Sequence, residues 1–383
     1  MSKQSFLVGL LVACACVVAG INAAAQDVFS RSRRVGDTLY VSNTGSRDPQ
    51  TGKHPDSIEA STRQVLRNVE EILKKEGFTF NDVVSSHVWI TDLNKFGEMN
   101  KAYREVFQSE HPVRTTIQVS ELPDESAVSI AVVAFQGKKQ IVHPREGQNL
   151  TLPFSPGILV GDTLYISGQA SVDPLTGKLI EGDFKAHVTQ TLKNVEAILK
   201  AADMDFSNVV HANVFLTNPD DFGPMSEVYR TFTTQPRPAR VPLGATRLPL
   251  DAPVEITMIA KRQKGKAILP PDMPPSDNYS RGFLVGDELY VAGIGSAQEA
   301  VEDRVNDCME RVRKIVEEAG LSLGNVVEGK IYLSDIKDLE AVNQAFRKHF
   351  PSEAFPALTT VAVANLPAKL KMMTTFVAAR NVK

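Results

Sequence analysis

Cysteine, histidine and tryptophan are scarce in this sequence, and neither sign of charge dominates it. Of 383 residues, three are cysteine, seven histidine and one tryptophan. Cys14 and Cys16 fall within the first 25 residues, so Cys308 stands alone in the remainder. One cysteine cannot form an intramolecular disulfide, and each domain must rest on its apolar core. Cys308 lies in a helical pattern and reads as a buried small hydrophobe. The histidines are scattered without ligand spacing, which argues against a metal centre. Neither a metal nor an organic cofactor is expected. The net charge is −3, with no basic domain or stripe, so nucleic acid is not the expected partner. The densest basic stretch, Lys261-Arg262-Gln263-Lys264-Gly265-Lys266, reads as a solvated linker. The one long apolar run, Phe6 to Ala19, is shorter than the roughly 20 residues of a membrane span. Lys3 before it and Ala23-Ala24-Ala25 after it give the pattern of a signal peptide over residues 1–25. The expectation is an exported protein, periplasmic or secreted after cleavage near Ala25. Leu11-Val12-Ala13-Cys14 leaves a lipoprotein anchored at Cys14 as the alternative.

What is present is repetition. Val35-Gly36-Asp37-Thr38-Leu39-Tyr40 returns as Val160-Gly161-Asp162-Thr163-Leu164-Tyr165 and as Val285-Gly286-Asp287-Glu288-Leu289-Tyr290, at intervals of 125 residues. Each copy closes on Leu-Pro and a β-branched run, at Leu122-Pro123, Leu248-Pro249 and Leu366-Pro367. Units of this size are whole domains rather than solenoid turns. Residues 26–138, 139–263 and 264–383 are the three expected domains. The joins, Gly137 to Asn149 and Gln263 to Asn278, are polar or proline-rich.

Within a copy the order reads strand, turn, strand, helix, strand, helix, strand, strand. Gly-Asp between apolar runs marks a hairpin. Val188, Leu192, Val195, Ile198 and Leu199 follow the spacing of an amphipathic helix, and Phe222 to Phe232 is a second, shorter one. Val210, Ala212, Val214 and Leu216 alternate as a half-buried strand. Helices on one face of a mixed sheet make an α+β domain. The opposite sheet face must then bury itself elsewhere, and the other two copies are available. Tyr40, Tyr165 and Tyr290 occur in every copy and read as core.

In copy 2, Ser167-Gly168-Gln169, Pro238-Ala239-Arg240-Val241, Arg247-Leu248-Pro249 and Glu255 follow one another. In that order and spacing they resemble the YjgF/RidA family, over essentially the whole chain beyond residue 25. The resemblance implies a RidA-like, chorismate-mutase-like α+β fold. Family members are typically homotrimers with clefts between subunits, so three fused copies imply a pseudo-trimer in one chain, acting as a monomer. The implied activity is hydrolysis of small 2-imino or enamino acids to 2-oxo acids and ammonia. The family arginine holds the substrate carboxylate, and the glutamate is associated with the attacking water. Those residue types suit the chemistry, because an arginine fork grips a carboxylate bidentately and a carboxyl group moves protons. Some members have been assigned ribonuclease activity, which the acidic balance here disfavours.

The copies differ at these positions. Copy 2 carries Arg240 and, fifteen residues on, Glu255; copy 1 has Arg114 and Ser129; copy 3 has Leu358 and Met373. Arg240 and Glu255 are accordingly expected as the catalytic pair, with repeat 3 as scaffold. Ser167 and Gly168 serve either substrate contact or close backbone packing. The family's early aromatic falls on Phe29, Phe154 and Tyr279, and its second-helix pair on Phe96/Asn100, Phe222/Ser226 and Leu339/Asn343. Arg114, Phe154, Tyr279, Phe96, Asn100 and Asn343 therefore join the expected substrate-binding set. The alternative function is a non-catalytic binding protein for a carboxylated metabolite or a protein partner in the same cleft.

Overall fold

The computed structural model describes residues 30–144, 152–352 and 354–382; the expected signal peptide, Cys14 and Phe29 lie outside them. Three mixed sheets follow one another along the chain. The first has the order Ser32–Val35, Thr38–Thr44, Val128–Phe135, Val83–Ile90, Val113–Gln118. All its neighbours are antiparallel except the last pair. The second and third sheets repeat this order, ending in the parallel strands Ala239–Gly244 and Ala357–Ala362. Each hairpin between the first two strands turns on a glycine with left-handed φ, 55° at Gly36, 56° at Gly161 and 54° at Gly286, where a side chain would be strained.

Two helices cover one face of each sheet: α1 (Ile58–Lys75) and α2 (Phe96–Val106), α3 (Phe184–Ala201) and α4 (Phe222–Phe232), α5 (Val301–Glu318) and α6 (Leu339–Arg347). Ser57 and Asp183 cap α1 and α3 by accepting from the backbone N–H three residues on, satisfying one of the donors a helix start leaves free. The loop before α5 is shorter, and Ala300 at its start offers no side-chain cap. The stripe Val188, Leu192, Val195, Ile198 and Leu199 is buried against its own sheet. Cys308 is buried on the matching stripe of α5.

Two expectations about the joins are corrected. Lys139–Val142 and Lys266–Ile268 are edge strands, each paired with the first hairpin of the sheet that follows. Lys261 is not solvated: it ends the strand Val254–Lys261, is buried, and its Nζ lies 3.0 Å from Glu288 of the third sheet and 3.5 Å from Asp162. The joins read as linkers thus carry an edge strand each, which polar composition alone does not announce.

The strand Val209–Leu216 is buried on both faces rather than one. Its second face meets the other two sheets. Trp89, Phe215 and Tyr332, at matching places in the three sheets, share one apolar cluster with Ile117, Val241, Val361 and Met373. Above them the residues Ser85, His87, His211, Asn213, Glu328 and Lys330 line an interior cavity of about 40 Å³. Tyr40, Tyr165 and Tyr290 border it too, all three buried as expected. Glu328 Oε1 and Lys330 Nζ stand 3.0 Å apart there. Burial holds His211 down at about 3 and His87 well below its ordinary value, so both are neutral at physiological pH.

Backbone hydrogen bonds link the repeats pairwise. Gln118 N–H donates to Arg247 O (3.0 Å), Gly244 N–H to Asn365 O (2.8 Å) and Ala362 N–H to Glu121 O (3.3 Å). Each repeat is thus bonded to both others.

Candidate functional sites between repeats

The parallel edge strand of each sheet carries the arginine position, and the first hairpin of the next repeat lies against it. At the seam between the first and second repeats, Arg114 N–H donates to Ser167 Oγ (2.9 Å), and Ser167 Oγ donates to Ser155 O (2.6 Å). Gly168 N–H donates to Arg114 O (3.0 Å). The Ser167 hydroxyl is fully buried and spends its proton on the seam, so of its two expected roles the structure favours backbone packing.

Gly168 is glycine because of Glu255. A Cβ built there would meet Glu255 Oε1 at 1.9 Å. Gly168→Ala is therefore expected to displace the Glu255 carboxyl and to lower any activity of this cleft by at least tenfold, with a small loss of stability. The same kinetic assay on Gly168→Ala and Glu255→Ala would show comparable defects; a fully active Gly168→Ala variant would contradict this placement.

Arg114 and Glu255 belong to one cleft. Each is 4 % exposed. The guanidinium is walled by the rings of Phe96 (5.4 Å), Tyr103 (4.9 Å) and Phe154 (5.3 Å, from the second repeat), which suit a cation in a desolvated place. Its Nη1 is buried without a hydrogen-bond partner in the protein, as is Asn100 Oδ1, one helical turn beyond Phe96 on α2. Burial pushes the Arg114 guanidinium down to about 10, although Tyr103 and Glu255 pull against it. Burial likewise pushes the Glu255 carboxyl up to about 8, opposed by the charge of Arg114 and by a hydrogen bond from the Thr116 backbone N–H. Glu255 therefore holds its proton at neutral pH.

The expected pairing of Arg240 with Glu255 is overturned. Both stand on the second sheet, with the strand Val209–Leu216 between their own strands. Glu255 faces back to the first repeat, and Arg240 faces forward to the third. Gly293 N–H donates to Arg240 O (3.0 Å) at that second seam, repeating the bond of Gly168 to Arg114. The Arg240 guanidinium lies over Tyr229 (5.1 Å) and Tyr279 (5.7 Å), and its Nη2 donates to Ser226 Oγ (3.1 Å). Against Gly293 sits Met373, where the first cleft has Glu255. The middle repeat is thus not a self-contained site, and its two halves serve different neighbours.

The remaining residues sort accordingly. Phe96, Asn100 and Phe154 belong with Arg114, and Tyr279 with Arg240. Ser226 shows that this helix position faces the arginine position of its own repeat, which places Asn343 on α6 at the third seam, beside Leu358 rather than an arginine. There Asn43 N–H donates to Thr359 Oγ1 (3.1 Å), and Ser129, opposite Trp89 as Glu255 is opposite Phe215, takes the glutamate position. Sequence reading missed Tyr103, Tyr229 and Thr116. The tyrosines repeat at one place in α2 and α4, the only signal that could have found them; Thr116 acts through its backbone and leaves none. Among the described residues, no group of three or more metal-ligating side chains occurs and no helix is long and apolar enough to cross a membrane.

The sequence model of the family described as Endoribonuclease L-PSP matches residues 20–136, 147–262 and 271–379. A mouse 2-iminobutanoate/2-iminopropanoate deaminase is 43% identical over 108 residues, 28% of this chain and 80% of the relative. The human protein of that name is 40% identical over 108 residues, with 28% and 79% covered. A RutC family protein of Sulfurisphaera tokodaii is 41% identical over 110 residues, covering 28% and 88%. Among solved structures, RidA from an Antarctic Psychrobacter is 37% identical, covers 32% of this chain and 98% of its own, and has a TM-score of 0.31. Three successive matches across the described sheets leave one assignment: the chain belongs to the Endoribonuclease L-PSP family, that is YjgF/RidA, in three tandem α+β repeats.

Proposed function

We propose that the cleft of Arg114 and Glu255 hydrolyses small 2-imino acids to 2-oxo acids and ammonia. The observation that carries this reading is a buried guanidinium with an unpartnered Nη1 beside a buried, protonated carboxyl group. Relatives about 40% identical that are named imine deaminases support it. The substrate carboxylate pairs with Arg114, and the aromatic walls exclude water from that ion pair, which fixes the imine carbon near Glu255. Glu255 gives its proton to the imine nitrogen, making the carbon more electrophilic. The resulting carboxylate then takes a proton from the attacking water as the C–O bond forms. Return of that proton to nitrogen lets ammonia leave as the carbonyl forms, and the hydroxyl proton passes to the Glu255 carboxylate, restoring its acid form. Water is the only co-reactant.

Three repeats, each bonded to the other two, stand in this reading for the three subunits of a family trimer, and the chain works as a monomer. A leader over residues 1–25 would place the reaction outside the cytoplasm. The test is release of 2-oxobutanoate from freshly generated 2-iminobutanoate by residues 26–383. Acceleration over buffer of at least a hundredfold is expected; a rate equal to buffer for several imino acids would end the deaminase reading.

A further inference from the structure

We propose that the second cleft, between the second and third repeats, is a binding-only site for a small organic dianion. The Arg240 guanidinium is 4 % exposed, yet its Nε and Nη1 have no hydrogen-bond partner in the protein. Its neighbourhood is cationic. Arg230 and Arg237 of the same repeat both act on it repulsively. The Nε of Arg237 is itself buried and unpartnered, while Arg230 donates to the neutral Asn278 (2.7 Å) and also feels the charge of Glu227. Arg281 of the third repeat bonds the Tyr279 hydroxyl (2.6 Å) and lies 5.2 Å from its ring. Four guanidinium groups thus surround Tyr279 and Arg240, and the hydrogen bonds given by Arg230, Arg240 and Arg281 run to neutral groups. A buried guanidinium ringed by other, half-buried cations needs a counter-charge.

The first cleft is built differently at the matching places. It has His111 where the second has Arg237, and Glu255 where the second has Met373. Burial lowers His111, so that it adds little positive charge. Thr116, whose N–H serves Glu255, is matched by Pro242, which has no N–H to give. The second cleft has therefore lost both the proton-carrying group and the donor that would hold it, while gaining positive charge. Such a site grips and does not transform. One negative group pairs with Arg240, as a monocarboxylate would, and the surrounding arginines set the preference for a second. The site is independent of the imine hydrolysis proposed for the first cleft.

The test is isothermal titration of the full chain carrying Arg114→Leu, so that the first cleft contributes nothing. Succinate, glycerol 3-phosphate and butyrate are the probes. One equivalent of succinate or of glycerol 3-phosphate should bind at least tenfold more tightly than butyrate. The tighter of the two identifies the ligand as a dicarboxylate or a phosphate ester. Adding Arg240→Leu, the residue already present at the matching place as Leu358, should abolish binding. Should Arg240→Leu lose the native circular dichroism spectrum, Arg237→Gln takes its place, with a tenfold loss expected for the dianions and none for butyrate. Absence of binding by both dianions, equal affinity for butyrate, or affinity unchanged in the folded Arg240 or Arg237 variant would overturn the proposal.

Discussion

Arg114→Leu is expected to lower kcat/KM for 2-iminobutanoate by about a thousandfold, while Arg240→Leu stays within about threefold of the parent. The two arginines look interchangeable by burial, strand position and aromatic surroundings. What separates them is the group across the seam. Arg114 faces a carboxyl that can carry a proton, and Arg240 faces the thioether of Met373. Losing Arg114 removes both the charge-assisted grip and the orientation of the imine carbon, so the loss should fall on kcat as well as KM. Steady-state rates on both variants decide the matter. A large defect in Arg240→Leu with an intact Arg114→Leu would move the chemistry to the second cleft and refute the assignment.

Glu255→Gln should cost about 10²- to 10⁴-fold in kcat/KM, the usual worth of a positioned acid–base group. Its pH behaviour gives a second signature. With Glu255 in the proposed role of proton donor, titrating near 8, kcat/KM relative to the buffer rate should be level at neutral pH and fall above about 8. A rise through that region would instead mark the ionised form as the active one. Stability should follow the same group. Its folded pKa is raised above the ordinary carboxyl value of 4.5 to about 8, so its stabilising contribution is complete below about 4.5. That contribution is lost as pH climbs through 8. Glu255→Gln lacks this titration and should therefore gain on the parent by up to about 1.4 kcal/mol per pH unit across that window. Urea unfolding at pH 5 and pH 8.5 measures the difference; equal differences at both would mean Glu255 does not titrate as described.

Much of the fold was legible because it is periodic. The repeated Gly-Asp hairpins, the stripe from Val188 to Leu199 and the helix from Phe222 to Phe232 depend on local spacing, and the structure has them where the pattern put them. Of the residues singled out, Arg114, Glu255, Phe96 and Phe154 come together. Their pairing was not legible. Reading Arg240 with Glu255 assumed that residues close in one motif share one cleft, whereas the edge strand and the third strand of a sheet look toward opposite neighbours. No local signal separates those directions, because both residues alternate correctly on their own strands. Lys261 failed for a related reason: its partner Glu288 lies in the next repeat, beyond any window a charge run can be read in.

Covalent fusion also frees the interior from repetition. In an assembly of identical subunits, whatever one strand sends to the axis is sent three times. The pair Glu328 and Lys330 would then bring six formal charges to a cavity of about 40 Å³. Here the other two strands send Ser85, His87, His211 and Asn213 to those places, with both imidazoles kept neutral by burial. A single ion pair at a shared axis is a solution open only to a chain whose thirds have ceased to be copies.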